Sequence, residues 1–193
     1  MESARTEFLS WNQDTMLRRE GIEFTNDFIY IDFFGERYSI NRLTGVVLRF
    51  ADNASAGFST IMSIYDVLCY SKPDAVLSRQ WQSLANLSPH SNFGSSDRNS
   101  FGAEATKFSG KIEELKNACI TLGGLETTKA DIGFMFNAFP FLPIVFQFWE
   151  GDDEFPPKIN VLFDRNTLDY IHFETAWYVA GHLLRLIETI MNG

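Results

Sequence analysis

Four carboxylates surround one glycine in the segment Glu150-Gly151-Asp152-Asp153-Glu154. Like charges this close repel one another, so the cluster needs a physical reason. Hard oxygen donors suit calcium or magnesium, which makes a divalent-cation site one reading. An acid/base pair, with one pKa raised by partial burial beside a like charge, is a second. The third is a solvated turn that keeps an aromatic hairpin soluble while one acid caps backbone amides. The pattern favours the third, because charge runs are usually solvated faces and the segment does not follow the calcium-loop template. Pro156 and Pro157 add to it by stiffening the connection without donating hydrogen bonds.

The three histidines, His90, His172 and His182, show neither H-x-x-x-H nor H-E-x-x-H spacing, and no metal-ligand set is expected. Each reads singly as a surface or capping residue. An acid/base site would need His172 brought to Asp153 or Glu154 by the fold. No G-x-S-x-G elbow, dinucleotide fingerprint or phosphate-cradling loop occurs. Cys69 and Cys119 lie far apart on apolar helical positions and read as buried hydrophobes. The aromatics Phe134, Phe136, Phe139, Phe141, Phe146 and Phe148 read first as core, with a ligand pocket as the alternative. Pro140 and Pro143 interrupt that run at a place where a cleft can open.

These residues must be positioned by one domain spanning 1–193, since 193 residues with 45% apolar content support one sizeable core. Nineteen phenylalanines make that core aromatic. The formal charge of −9 repels phosphate backbones and excludes nucleic acid as a partner. No stretch is long and apolar enough for a membrane span, and Met1–Glu7 has no signal-peptide core, so a soluble cytoplasmic protein is expected.

Helical spacing of Phe8, Trp11, Thr15 and Arg18 predicts a helix over residues 3–20, stopped by Gly21. From Ile22 to Phe50 the period is two, predicting a three-stranded meander that reverses at Gly35-Glu36 and near Gly45. Ser55 caps a predicted helix to Tyr70, and a shorter helix carries Val76, Leu77, Trp81, Leu84 and Leu87. Ser88–Gly102 reads as a polar loop. A helix over Ala103–Leu122 ends at Gly123-Gly124. A strand or turn around Ile132–Phe136, two apolar strands (Ile144–Trp149 and Ile159–Phe163) and a helix over Glu174–Met191 complete the chain. The expected class is α+β, with a mostly antiparallel sheet of about five or six strands and packed helices.

Three sets of residues resemble the prokaryotic family catalogued as domain of unknown function 3786. They are Arg19-Glu20-Gly21 with Phe28–Phe34, Tyr38-Ser39-Ile40 and Thr44-Gly45-Val46; Gly123-Gly124 with Asp131 and Pro140–Pro143; and Trp149–Pro156 with Leu162-Phe163-Asp164 and Glu174. The resemblance implies one soluble domain and brings no activity or catalytic residues. Some relatives carry a cysteine-rich iron–sulfur module linked with corrinoid or anaerobic metabolism. This sequence has no such module, so that role is not carried across.

Three functions are therefore expected to compete. The first is a non-enzymatic domain that binds a small molecule or cofactor, of unknown identity, in an aromatic cleft beside the acidic turn. Trp149, Asp153, Glu154, Phe155 and His172 are its candidate contacts. The second is a protein–protein interaction or scaffold domain, in one form a homodimer. The third is an acid/base or divalent-metal enzyme using Asp153 or Glu154 with His172.

Overall fold

Alternating apolar residues make the first sheet. In the computed structural model, which describes residues 2–16, 21–87 and 101–193, Ile29, Ile31 and Phe33 are buried on one face of β2 (Phe28–Phe33). Phe28, Tyr30 and Asp32 alternate with them, half-buried. With β1 (Ile22–Phe24), β3 (Glu36–Asn41) and β4 (Val47–Arg49), β2 forms an antiparallel meander in chain order. The reversal is at Phe34-Gly35, one residue earlier than the sequence suggests, with both residues left-handed at φ 49° and 76°. That is the two-residue turn whose twist matches the flanking strands. Glycine adopts it without strain, whereas Phe34 is held there by its N–H, which donates to the Ala138 carbonyl at 2.9 Å in the other sheet.

The second sheet contains β5 (Trp81–Ser83), β6 (Leu125–Glu126), β7 (Ile132–Phe139), β8 (Leu142–Trp149) and β9 (Lys158–Asp164), in the order β5-β9-β8-β7-β6 and antiparallel throughout. The two apolar runs are its central strands, with Ile144 opposite Phe163, Phe146 opposite Val161 and Phe148 opposite Ile159. Both faces of β8 are covered, as a continuous apolar run requires. The class is antiparallel α+β, but the strands divide between two sheets of four and five instead of one. The meander's ladder begins and ends with its own short strands, and the sheets meet through side chains, with Phe33 and Phe139 ring centroids 4.8 Å apart.

The helices are α1 (Glu2–Ser10), α2 (Gln13–Met16), α3 (Phe58–Tyr70), α4 (Gly102–Phe108), α5 (Ile112–Thr121) and α6 (Phe173–Asn192). α3 packs along α6, and α6 buries Ala176, Val179, Ala180, Leu183, Leu184 and Ile187. α3 starts after Gly57, not at Ser55. The expected helix over 3–20 breaks at Trp11-Asn12, where the Asn12 side chain accepts the Asp14 N–H at 3.1 Å and starts a new turn. Arg18 and the rest of 17–20 lie outside the described residues, as does 88–100 of the polar loop.

Two further expectations are corrected. The helix over Ala103–Leu122 divides at Ser109-Gly110, where Gly110 has φ 74° and both residues donate hydrogen bonds to Glu150. Apolar spacing runs straight through that break, so periodicity conceals it. No helix carries Val76, Leu77 and Trp81. From Ser71 the chain turns at Pro73-Asp74, runs irregularly into β5 and then makes a 3₁₀ turn at Leu84–Asn86. The cause is a buried carboxylate on β9, Asp164.

Candidate functional site

Asp164 ends the central strand β9 and is 1% exposed. Its carboxylate accepts the Ser78 N–H at 2.9 Å, the Ser78 hydroxyl at 3.0 Å, the Arg79 N–H at 2.7 Å and the Asn166 N–H at 2.8 Å. The Asn166 side-chain amide donates in turn to the Val76 carbonyl at 2.9 Å. Backbone donors captured by one carboxylate cannot serve a helix, which is why 76–80 is irregular. Arg79 takes φ 59° within this knot, a left-handed conformation costing a non-glycine residue roughly 1–2 kcal/mol.

The segment so fixed forms one wall of a groove of about 730 Å³, within the range of small-molecule sites. α3 supplies the buried residues Val67, Leu68 and Cys69. Trp11, Thr15 and Met16 come from the N-terminal helices and their junction, and Ser71, Pro73, Ala75, Val76, Leu77 and Arg79 from the connection after α3. Phe141, from the β7–β8 turn, stacks on Tyr170 at 6.0 Å and 17°. Phe141 is thus the one member of the aromatic run that lines the groove. Phe134, Phe136, Phe139, Phe146 and Phe148 are core. Burial pushes the Cys69 thiol up to about 12, with the nearby Glu7 and Asp66 charges adding to it, so it is no nucleophile near neutrality.

Beside the groove, Tyr70 makes an edge contact with Trp11 at 5.0 Å and another with His172 at 4.4 Å. The Tyr70 hydroxyl donates to Glu7, which pushes the phenol up to about 12. His172 stands at the start of α6 and is oriented by Asp66 of α3. One Asp66 oxygen accepts the His172 N–H at 2.7 Å, and the other lies 2.6 Å from Nδ1. Asp66 therefore caps α6 across a tertiary contact and directs His172 Nε2 away from itself. The His172 side chain is 54% exposed.

The acidic turn is placed elsewhere. It follows Trp149, at the opposite end of the eight-residue β8 from Phe141, roughly 23 Å away at strand rise. Asp152 closes it by accepting the Glu154 and Phe155 N–H groups at 2.9 and 2.7 Å, and those two bonds lower its pKa. Asp153, Glu154 and Phe155 are exposed, Phe155 at 68%. Trp149 is half-buried, with the Lys158 ammonium 5.8 Å from its ring centroid. Glu150 is tied to α4 and α5. Partial burial would raise its pKa, but the Ser109 hydroxyl and the Gly110 and Gly151 amides outweigh this and lower it. The structure does not bring His172 to Asp153 or Glu154; its carboxylate partner is Asp66.

His182 packs against Phe33 and Phe34, at ring-centroid distances of 4.8 and 5.6 Å. Burial, and then the positive charge of Arg185, bring its pKa down to about 4. His90 lies outside the described residues. Among the described residues no group of three or more His, Cys, Asp or Glu is placed to hold a metal ion, and no helix is long and apolar enough to cross a membrane.

Sequence reading missed Asp66, Asp164 and Arg79. The first two left a trace as lone acids within apolar runs, Tyr65-Asp66-Val67-Leu68 and Val161-Leu162-Phe163-Asp164. A buried acid of that kind must be hydrogen-bonded, which marks it as an organiser.

The family model described as Domain of unknown function (DUF3786) matches residues 13–186. The chain belongs to that family. No curated protein and no solved structure matches it.

Proposed function

Starting from that family membership, we propose that this chain is a binding domain that takes a small molecule with an apolar, partly aromatic body into the groove between α2, α3 and the connection 71–79. One observation carries the reading. The groove is lined mostly by apolar residues, and one of its walls is held in an irregular conformation by a buried carboxylate. A wall held rigid in this way suits a preformed site, because rigidity lowers the ordering cost of binding. The acidic turn takes no part in this site, being engaged in closing its own loop and exposed.

Calorimetric titration with the neutral probe 2-naphthalenemethanol tests the reading, beside native mass spectrometry of the purified protein for a retained ligand. The expected result is one saturable site that Ala75→Trp abolishes by filling the groove. Absence of saturable binding to the wild type, or equal binding to Ala75→Trp, would overturn it.

A second reading, self-association, draws on the outer face of the first sheet. There Tyr30 meets Phe50 edge-on at 5.7 Å, Arg37 lies 5.4 Å from the Tyr30 ring centroid, and Phe50 is 53% exposed. Light scattering of the wild type and Phe50→Glu tests it. A dimer that the substitution breaks supports it, and a wild-type monomer removes it.

A further inference from the structure

We infer that the groove selects an organic anion, an aromatic or alkyl carboxylate whose acid group pairs with Arg79. This rests on the reading of the groove as a ligand site and names the class of ligand.

The charge pattern comes first. Among the described residues Arg79 is the only charged one lining the groove, in a chain whose net charge is −9. Among the described residues no carboxylate lies within 4 Å of its guanidinium, while Arg37, Arg42, Arg49, Lys72, Lys107 and Lys116 each have an acidic partner. What sets Arg79 apart is its place: it stands at a cleft lined mostly by apolar residues, where its positive charge is available to a ligand.

Hydrogen-bond polarity points the same way. Among the described residues two hydroxyls line the groove besides the tyrosine, and both spend their protons inward. Ser71 donates to the Tyr170 carbonyl at 2.9 Å and Thr15 to the Asn12 carbonyl at 2.7 Å. They offer a ligand acceptors only, whereas the guanidinium offers a planar set of donors that matches a carboxylate in bidentate fashion.

Backbone strain is the third observation. Arg79 is one of three non-glycine residues with positive φ among those described. It is held there by the Asp164 carboxylate, which takes its N–H at 2.7 Å. Glycine or asparagine would occupy that conformation at less cost, so an arginine kept in it is explained by what its side chain does. The buried acid on the central strand thus fixes the backbone of the residue that carries the cation, by bonding to its N–H and not to its guanidinium.

The test compares 2-naphthoate with 2-naphthalenemethanol, which share an aromatic body and differ in the acid. Wild-type protein should bind naphthoate tenfold or more tightly, and added salt should weaken naphthoate alone. Arg79→Gln should cost naphthoate about tenfold to a hundredfold, the range for a charge-assisted pair, and leave the alcohol unchanged. Arg79→Lys should recover part of the loss, since it restores charge without the fork. Circular dichroism and the melting temperature of each variant establish that it is folded. Equal affinity for the two probes, or equal losses of both in Arg79→Gln, overturns the anion assignment while the groove stands. Failure of both probes to bind wild-type protein removes the groove reading and this inference with it.

Discussion

Replacing Asp164 by alanine is the most demanding test of this architecture. The substitution leaves three backbone N–H groups, those of Ser78, Arg79 and Asn166, without their acceptor, and opens a small void at a position 1% exposed. Each buried donor left unpaired costs about 1–3 kcal/mol, but two of the three lie on a surface connection that can move out to water. Relaxation of Arg79 from its left-handed conformation returns roughly 1–2 kcal/mol. The two bonds exchanged for water lose about 1.5 kcal/mol each and the third donor about 2 kcal/mol, so after that return the expected net loss is about 3 kcal/mol. For a chain of this length that is roughly 6–12 °C in melting temperature, at about 2–4 °C per kcal/mol. Urea denaturation gives the global loss, and hydrogen exchange locates it. The amides of Ser78 and Arg79 should lose their protection before those of β8. Ser78→Ala removes the hydroxyl's bond to Asp164 and its acceptance of the exposed Gln80 N–H, and should cost about 1–2 kcal/mol, less than Asp164→Ala. A loss below about 1 kcal/mol in Asp164→Ala, with the Ser78 and Arg79 amides still protected, would refute the claim that this carboxylate holds the groove wall.

Asp66→Ala should destabilise by about 2 kcal/mol in urea titration, because it removes the cap of α6, whereas His172→Ala should cost under about 1 kcal/mol since its ring is largely exposed. Near-equal losses would mean that the side-chain pair, not the cap, is what matters. For His182, the folded pKa of about 4 lies below the ordinary 6.5, so the unfolded chain takes up the proton first. Stability should be fully present above pH 6.5 and fall, by on the order of 2–3 kcal/mol, as pH drops toward 4. His182→Gln should flatten that segment of the urea-midpoint profile, and an unchanged slope between pH 6.5 and 4 would count against it. Asp153→Asn, Glu154→Gln and Phe155→Ala should each shift stability by less than about 0.5 kcal/mol and leave naphthoate affinity unaltered, as exposed turn residues do. A tenfold loss of affinity in any of them would return the acidic turn to the binding site.

Much of the fold was legible because local periodicity is strong where one face of an element is buried. Phe28–Phe33 alternates, so the meander could be read, and the stripe from Ile61 to Cys69 repeats at helical spacing, so α3 could be read. The apolar runs of β8 and β9 announced central strands, since only a strand covered on both faces tolerates them. The same signals were silent on the breaks. Ser109-Gly110 interrupts a helix whose apolar spacing is continuous, because the interruption is made by Glu150, forty residues away. The irregular course of 76–80 is imposed by Asp164, at a separation of 86 residues from Ser78. Division of the strands into two sheets is likewise a matter of which ladder closes on itself, which no single strand encodes.

The candidate site followed the same division. Composition and charge pattern alone pointed to the acidic turn, because a dense cluster of like charges is conspicuous in a sequence. The structure gives that turn a local duty, with Asp152 closing the loop and Glu150 holding α4 and α5. Lone residues then acquire meaning from neighbours distant in sequence. Asp66 meets His172 across 106 residues, and Asp164 fixes Arg79 across 85. By itself the sequence determined an acidic, aromatic-cored α+β domain of antiparallel strands and marked its central hairpin. Only the tertiary structure decided which acids are buried, what they hold and where a groove opens. The physical reason is that periodicity reports one element's exposure to water, whereas a buried carboxylate is defined by the donors that converge on it from elsewhere in the chain.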